Sequence, residues 1–224
     1  MILDGLRATL LIAGIGFIIG FVLGTFIAMI RTNPSKHPAM KAAQWACSGY
    51  VLLIRALPVV VQLLLGFFVI AYAIFGGGTN PLIVGIVIYG INSSAYQSES
   101  IRGAINGIDK GQLEAGYSVG MTYRQTMFRA ILPQAYKNAI PQLGNELIIL
   151  VKETAIVGFI TVLDLVGAFQ RAVNITFAVA AGYILLAMIY FIIVGLLTLL
   201  IMFVEKVVFK QGGFDRKSRR RKYE

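Results

Sequence analysis

Five long runs of apolar residues dominate the chain, and most polar residues are concentrated between them. The runs cover residues 6–30, 57–75, 81–101, 140–162 and 177–204. A helix needs roughly 20 apolar residues to cross the hydrocarbon core of a bilayer. The runs are continuous rather than alternating, which favours helices over the strands of a membrane β-barrel. The pattern therefore predicts an all-α membrane protein with five transmembrane helices.

The placement of positive charge predicts how the chain threads the membrane. Of the 20 Lys and Arg residues, seventeen fall in segments 31–56 and 102–139 or after Val204. Cytoplasmic segments of membrane proteins are enriched in Lys and Arg, so we expect the N-terminus outside the cell and the C-terminus in the cytoplasm. Residues 1–210 then form a single transmembrane domain, and residues 211–224 form a basic cytoplasmic tail near anionic lipid. Nucleic-acid binding is not expected, because no aromatic interleaving accompanies the basic run.

The composition gives little scope for metal or covalent chemistry. The chain has one cysteine and one histidine, Cys47 and His37, so no intrachain disulfide or thiolate metal cluster is expected. No metal site, cofactor or catalytic residue is predicted.

The loop at 102–139 is a polar module between two predicted spans. Its apolar positions recur near helical spacing, and Gly116 and Gly120 form a bare strip where another surface could approach. Gly120 permits a bend before a second short helix at 123–131, which we expect to end at Leu132-Pro133 because proline disfavours the α conformation in its predecessor. The module is thus predicted to be two short helices lying across the cytoplasmic face, with a simple amphipathic connector as the alternative.

The module resembles the EAA motif of ABC-importer membrane subunits. Glu114-Ala115-Gly116, Gly120 and Leu132-Pro133 stand at the separations of that motif, with Gly116 and Ala130 departing from its usual residues. Further strings resemble the polar amino acid permeases, the group for histidine, glutamine, arginine and opines, although Ala155 stands where that group usually has serine. These strings are Arg55-Ala56-Leu57-Pro58 with Val61-Gln62, Ala95-Tyr96 with Glu99 and Arg102-Gly103, Lys110-Gly111-Gln112, Pro133-Gln134-Ala135, Pro141, Asn145-Glu146 and Lys152-Glu153-Thr154.

The resemblance implies the type I ABC importer permease fold. It implies a subunit that works beside a second permease, identical or homologous, below an extracytoplasmic solute-binding protein and above an ABC ATPase. The residues that it assigns to coupling with the ATPase are Gln112, Glu114, Ala115, Gly116, Gly120 and Pro133. No G-x-x-x-x-G-K-[ST] loop occurs in the chain, so we expect a partner to hydrolyse ATP and this subunit not to be an enzyme.

Polar residues inside the predicted third and fourth spans are the candidates for the solute pathway, because ionisable groups at bilayer depth usually line a cavity or form pairs. The candidates are Asn92, Tyr96, Glu99, Lys152, Glu153 and Thr154. A carboxylate of Glu153 could bind an ammonium group of the solute and Lys152 a carboxylate. Glu99, Glu146 and Arg102 lie near the predicted cytoplasmic boundary, where interfacial ion pairs are the alternative.

The sequence predicts the permease subunit of an ATP-driven importer for polar amino acids in a bacterial cell membrane. The excess of acidic over basic residues in the spans points towards basic amino acids. Two alternatives are a secondary transporter, which would often show an internal repeat, and a channel subunit for small polar solutes.

Overall fold

The computed structural model describes residues 1–211, so all but the first residue of the predicted basic tail lies outside it. Within these residues the chain forms helices α1 (Ile2–Arg31), α2 (Pro38–Ala56), α3 (Val59–Gly78), α4 (Pro81–Asn106), α5 (Gly111–Ser118), α6 (123–153), α7 (Leu165–Thr176) and α8 (Val179–Gln211). A π-helical turn interrupts α3 at Leu65–Ala71 and α6 at Met127–Ile131, and a 3₁₀ helix, Thr154–Ile160, follows α6.

In the part of the chain that the structure describes, three segments are both long and apolar enough to cross a membrane: Ile2–Arg31, Val59–Gly78 and Val179–Phe209. They correspond to the first, second and fifth predicted spans. The other two predicted spans lie in α4 and at the end of α6, which carry more polar residues. The all-helical fold class is confirmed, whereas the division into five spans stays a prediction.

The packing centres on the close crossing of α1 and α4. A Cβ added at Gly20 would lie 2.7 Å from the Cβ of Ser93, and one at Gly24 would lie 3.0 Å from the backbone oxygen of Ser94. Small residues let transmembrane backbones approach in this way. The Gln97 side chain joins the crossing, since its Nε2 donates to Phe17 O at 3.1 Å and to Ser93 Oγ at 2.7 Å.

Two apolar clusters fill the space on either side of this crossing. One surrounds Tyr89 and Val157 between α1, α3, α4 and the 3₁₀ helix. The other surrounds Ile101 and Met127, where α1, α4 and α6 meet the polar module. The polar module is therefore built into the core of the bundle at one end of α1 and α4.

Two helices were not anticipated from the hydrophobic runs. Residues 38–56, expected to be an inward-facing segment, form helix α2, and its Tyr50 hydroxyl donates to Ile91 O at 3.0 Å, halfway along α4. Residues 165–176 form α7, which is capped by Asp164 because its carboxylate accepts hydrogen bonds from Val166 N and Gly167 N. Both helices have polar faces, so they do not appear as apolar runs.

Two predicted helix ends were also misplaced. The apolar run 140–162 is not one helix, because α6 ends at Glu153 and the chain leaves the 3₁₀ helix at Thr161 with φ of 68°. The prediction that Leu132-Pro133 ends the second short helix is wrong, since the helix continues to Glu153. A π-helical turn precedes Pro133, and the Gln134 side chain donates to Ala130 O at 2.8 Å, which supplies one backbone carbonyl beside the proline with a donor.

The crossing of α1 and α4 gives a first testable prediction. Gly20→Val should destabilise the purified chain by about 1–3 kcal/mol, because its side chain would overlap Ser93 and Gln97. Gly14→Val is the matched control on the same helix, since a Cβ there meets nothing within 4 Å. Thermal unfolding in detergent should show a lower Tm for the first variant alone, and equal values would contradict the crossing.

Candidate functional site

The helix break at Pro58 creates the first part of the site. Pro58 has no N–H, so the carbonyl of Ile54, four residues earlier, loses its helical donor. The Gln62 side chain replaces that donor, with its Nε2 lying 2.8 Å from Ile54 O and 2.9 Å from Leu57 O. Gln62 thus stabilises a sharp change of direction between α2 and α3, where a bilayer would offer the backbone no water.

The same break places polar groups of α2 and α3 against α4. The Oε1 of Gln62 accepts a hydrogen bond from Asn92 Nδ2 at 3.2 Å. The exposed Arg55 side chain lies over the Tyr96 ring, with its guanidinium carbon 5.4 Å from the ring centroid. Asn92 and Tyr96 therefore belong to one polar layer with Arg55 and Gln62.

Two carboxylates of α6 complete this layer. Glu146 and Glu153 are seven residues apart, which puts them on the same face of the helix, and Glu146 lies within electrostatic range of both Glu153 and Arg55. Tyr89 of α4 donates its hydroxyl proton to Glu153 O at 2.5 Å and so holds the end of α6 in place. We use the name polar layer for Arg55, Gln62, Asn92, Tyr96, Glu146 and Glu153.

Three predicted pathway residues lie elsewhere. Lys152 is exposed on another side of α6, where it lines an open, mainly apolar cavity beside Tyr190 and Phe191 of α8. Thr154 is fully buried, and its hydroxyl donates to Val151 O at 2.7 Å. Lys152 and Glu153 are adjacent in sequence, but a helix turns about 100° per residue, and the structure accordingly separates them.

Glu99 is occupied by an ion-pair cluster at the far end of α4. Its Oε2 lies 2.6 Å from a terminal nitrogen of Arg102, and its Oε1 accepts a short hydrogen bond from Arg31 at the end of α1. Arg31 also donates from Nε to Ser48 Oγ of α2 at 3.2 Å. The interfacial ion pair considered as the alternative is the arrangement that the structure shows for Glu99.

The predicted coupling residues lie on an elbow formed by α5 and the first turns of α6, residues 111–131. Helix α5 ends in a Schellman motif, because Met121 N donates to Gly116 O at 2.9 Å and Gly120 N donates to Tyr117 O at 3.0 Å. This motif requires the left-handed backbone of Gly120, whose φ is 78°. The predicted bend at Gly120 is confirmed.

The predicted bare strip is filled at Gly116 by the chain itself. A Cβ at Gly116 would lie 2.4 Å from two side-chain atoms of Thr126, so the two arms of the elbow touch at this point. The second arm begins with a capping box, in which Gln125 N donates to Thr122 Oγ1 and Thr122 N donates to Gln125 Oε1. Gly116 therefore closes the elbow, whereas the space beside Gly120 is open.

The outer surface of the elbow is exposed and partly apolar. Gln112, Glu114, Ala115 and Pro133 are all exposed. Beside them Val119 is 74% exposed, and Tyr117 and Phe128 are about half exposed. Exposed apolar side chains that cluster on a polar module are typical of a protein interaction surface.

Arg55 and Gln62 were not among the predicted site residues, although both belong to a string that resembles the polar amino acid permeases. The signal was the P-x-x-x-Q spacing, which puts an amide side chain one turn after the proline that frees a carbonyl. This spacing was overlooked because residues 31–56 were predicted to be an inward-facing segment and Gln62 to lie inside an uninterrupted apolar span.

Comparison with known proteins shows to which family this helical bundle belongs. Residues 38–209 match the family described as binding-protein-dependent transport system inner membrane component. The chain belongs to this family. It is a permease subunit of an ABC importer and a multi-pass membrane protein rather than an enzyme, and membership implies ATPase and solute-binding partners.

Relatives and solved structures agree on this permease family. The chain is 36% identical over 193 residues to the L-cystine transport system permease protein TcyB of Bacillus subtilis (strain 168), covering 84% of this chain and 80% of the relative. It is 35% identical over 205 residues to the arginine transport system permease protein ArtQ of the same organism, covering 92% and 91%. A chain from the crystal structure of an amino acid ABC transporter with histidines superposes with a TM-score of 0.79 at 36% identity, covering 92% of each chain.

The type I importer permease fold is thus confirmed. A chain of the MetNI methionine ABC transporter in an inward-facing form has the same fold, with a TM-score of 0.79, 21% identity and coverage of 92% and 95%.

Gln62 should be essential for the stability of this permease. Gln62→Leu removes the donor to two backbone carbonyls, and each unsatisfied group costs about 1–3 kcal/mol. We expect a fall in Tm of about 2–10 °C in detergent. Gln142→Leu is the control, since Gln142 is exposed on α6; an equal loss in both variants would contradict the role of Gln62.

Substitution of either elbow glycine, Gly116 or Gly120, should destabilise the elbow, but for different physical reasons. Gly116→Ala would push Thr126 away, whereas Gly120→Ala has room but forces alanine to a positive φ at a cost of about 1 kcal/mol or more. Both variants should show faster amide hydrogen exchange in residues 111–131 than the unaltered chain. Gly103→Ala, where a Cβ meets nothing within 4 Å, should leave exchange unchanged, and protection preserved in all three variants would show that the elbow does not depend on these glycines.

Proposed function

We propose that the chain is the translocation subunit of an ATP-driven importer for polar amino acids, with basic ones favoured. The observation that carries the proposal is the polar layer, in which Glu146 lies within electrostatic range of one guanidinium, that of Arg55, and of a second carboxylate, that of Glu153. A zwitterionic solute needs both signs of charge. The transport of cystine by one relative and of arginine by another, as their names state, supports the solute class.

In this mechanism Glu146 and Glu153 bind the ammonium groups of the solute. Arg55 is our candidate for its carboxylate, because Arg55 is exposed and lies within electrostatic range of Glu146. Lys152 is the second candidate, from the neighbouring cavity. Asn92 and Tyr96 position polar side chains around the site, whereas Glu99 and Thr154 contribute to the pathway through the packing of α4 and α6.

The elbow is proposed to dock in a groove of a separate ABC ATPase, with Glu114, Ala115 and the apolar side chains around Val119 as the contact surface. Gln112, Gly116, Gly120 and Pro133 shape that surface. The ATPase hydrolyses ATP, since the chain has no phosphate-binding loop of the Walker type. Closure of the ATPase would then push the elbow against α1 and α4, whose side chains pack beneath it.

The orientation of the chain in the membrane determines where its other partners would bind. The distribution of Lys and Arg supports an N-terminus outside the cell, a cytoplasmic elbow and a basic tail near anionic lipid. A solute-binding protein delivers the amino acid on the outside, and a second permease, identical or homologous, completes the pathway. Nucleic acid has no part in this function.

A transport measurement tests the solute site. In vesicles containing the permease, its ATPase and binding protein, Arg55→Gln should reduce uptake of arginine and glutamine alike, by about tenfold or more, because every amino acid carries the carboxylate. Glu153→Gln should reduce arginine uptake more than glutamine uptake. Lys152→Gln decides between the two cations: loss of uptake there and not at Arg55 would reassign the carboxylate contact.

The docking surface has its own test. Glu114→Arg should abolish solute-stimulated ATP hydrolysis and copurification of the ATPase, because it reverses the charge at the centre of the exposed face. Asn174→Arg is the control, an exposed position on α7, which is not part of the elbow. A secondary transporter or a channel would import solute without any copurifying ATPase, and that outcome would reject the proposal.

A further inference from the structure

A polar cavity of about 460 Å³ lies where the last residue of α1 meets the first turns of α2. Its lining residues are Arg31, Lys41, Gln44, Trp45 and Ser48. The four residues from α2 stand at i, i+3, i+4 and i+7, so one face of that helix forms a wall of the cavity. None of them belongs to the polar layer or to the elbow.

The cavity carries a net positive charge. Glu99 is the carboxylate that contacts the cluster, and both of its oxygens are engaged, one by Arg31 and one by Arg102. One negative charge therefore compensates only one of two guanidinium groups, and exposed Lys41 adds a third cation. Arg31 uses Nε and one terminal nitrogen in its contacts with Ser48 and Glu99, which leaves the other terminal nitrogen for an anionic ligand.

The surroundings of the cavity are amphiphilic. Trp45 is 79% exposed at its rim, and tryptophan is enriched where a membrane meets water. Leu52, seven residues further on the same face of α2, is 72% exposed and lies roughly 10 Å along the helix from Trp45. Cationic groups at one end and an exposed apolar side chain at the other match a ligand with a charged head and a hydrocarbon tail.

We propose that this cavity binds the headgroup of an anionic phospholipid. Arg31 and Lys41 contact the phosphate, the indole N–H of Trp45 and the hydroxyl of Ser48 lie within its reach, and an acyl chain runs along Leu52. Basic pockets between transmembrane helices at the cytoplasmic side are suited to such headgroups. Because Arg31 also holds Glu99 of α4, an occupied cavity would join α1, α2 and α4 at one end of the bundle.

Trp45 is the single tryptophan of the chain, so its fluorescence reports directly on the cavity. The full chain is reconstituted in phosphatidylcholine bilayers that contain phosphatidylglycerol, with brominated acyl chains on one lipid or the other at matched mole fractions. Brominated phosphatidylglycerol should quench Trp45 more strongly than brominated phosphatidylcholine. Inorganic phosphate is added in a separate arm, where competition at low concentration would identify a site for free phosphate and overturn the lipid assignment.

A matched pair of variants tests the role of the cation. Lys41→Gln should lower the relative binding constant for phosphatidylglycerol at Trp45 by about fivefold, the effect of one basic residue near the surface. Lys36→Gln removes the same charge from the exposed loop before α2 and should change this constant by less than about twofold, because Lys36 does not line the cavity and salt screens exposed charges. Equal effects of the two variants would overturn the proposal.

The remaining outcomes are also decisive. Equal quenching by the two brominated lipids in the unaltered chain would mean that the cavity does not select anions. Absence of quenching by either lipid would mean that another protein chain covers Trp45. Each result overturns the lipid site and leaves the proposed import function untouched, because that function depends on the polar layer and the elbow.

Discussion

A backbone group that loses its helical partner inside a bilayer cannot turn to water, and this constraint shapes the breaks in the fold where a side chain takes the partner's place. At the Pro58 break, the Gln62 side chain donates hydrogen bonds to the carbonyls of Ile54 and Leu57. Gln134 donates to Ala130 O where α6 passes through its π-helical turn, and the buried carboxylate of Asp164 accepts from the first N–H groups of α7. At each of these three positions a side chain replaces a missing backbone partner.

The polar layer is a consequence of the same breaks. In an unbroken helix through residues 38–78, Arg55 and Gln62 would lie two turns apart on the same face. The turn at Pro58 instead directs Gln62 to Asn92 and Arg55 to Tyr96, while the end of α6 is held by the Tyr89 hydroxyl. Charged groups are energetically costly in a membrane, and here Arg55 lies over the Tyr96 ring and Glu146 lies within electrostatic range of Arg55.

The elbow is stiff and firmly seated, as its proposed role in coupling requires. Its two arms meet at Gly116 and Thr126 without room for a Cβ, and Met127 and Ile131 beneath them are buried among residues of α1 and α4. Close-packed interiors do not deform continuously, so a displacement of the elbow must move the helices to which it is attached. The ion pairs of Glu99 link α1 to α4 near the same end.

The amino-acid sequence by itself determined the helical membrane class, the apolar helices α1, α3 and α8, the bend at Gly120 and the permease family, because these depend on local composition, period and motif spacing. Tertiary structure decided which groups meet. Lys152 and Glu153 are neighbours in sequence, but only Lys152 lines the cavity beside α8. Gly116 packs against Thr126 of its own chain, and α2 carries Arg55 to the Tyr96 ring. Such pairings join residues far apart in the chain, and no local pattern specifies which of several compatible helix faces will pack together.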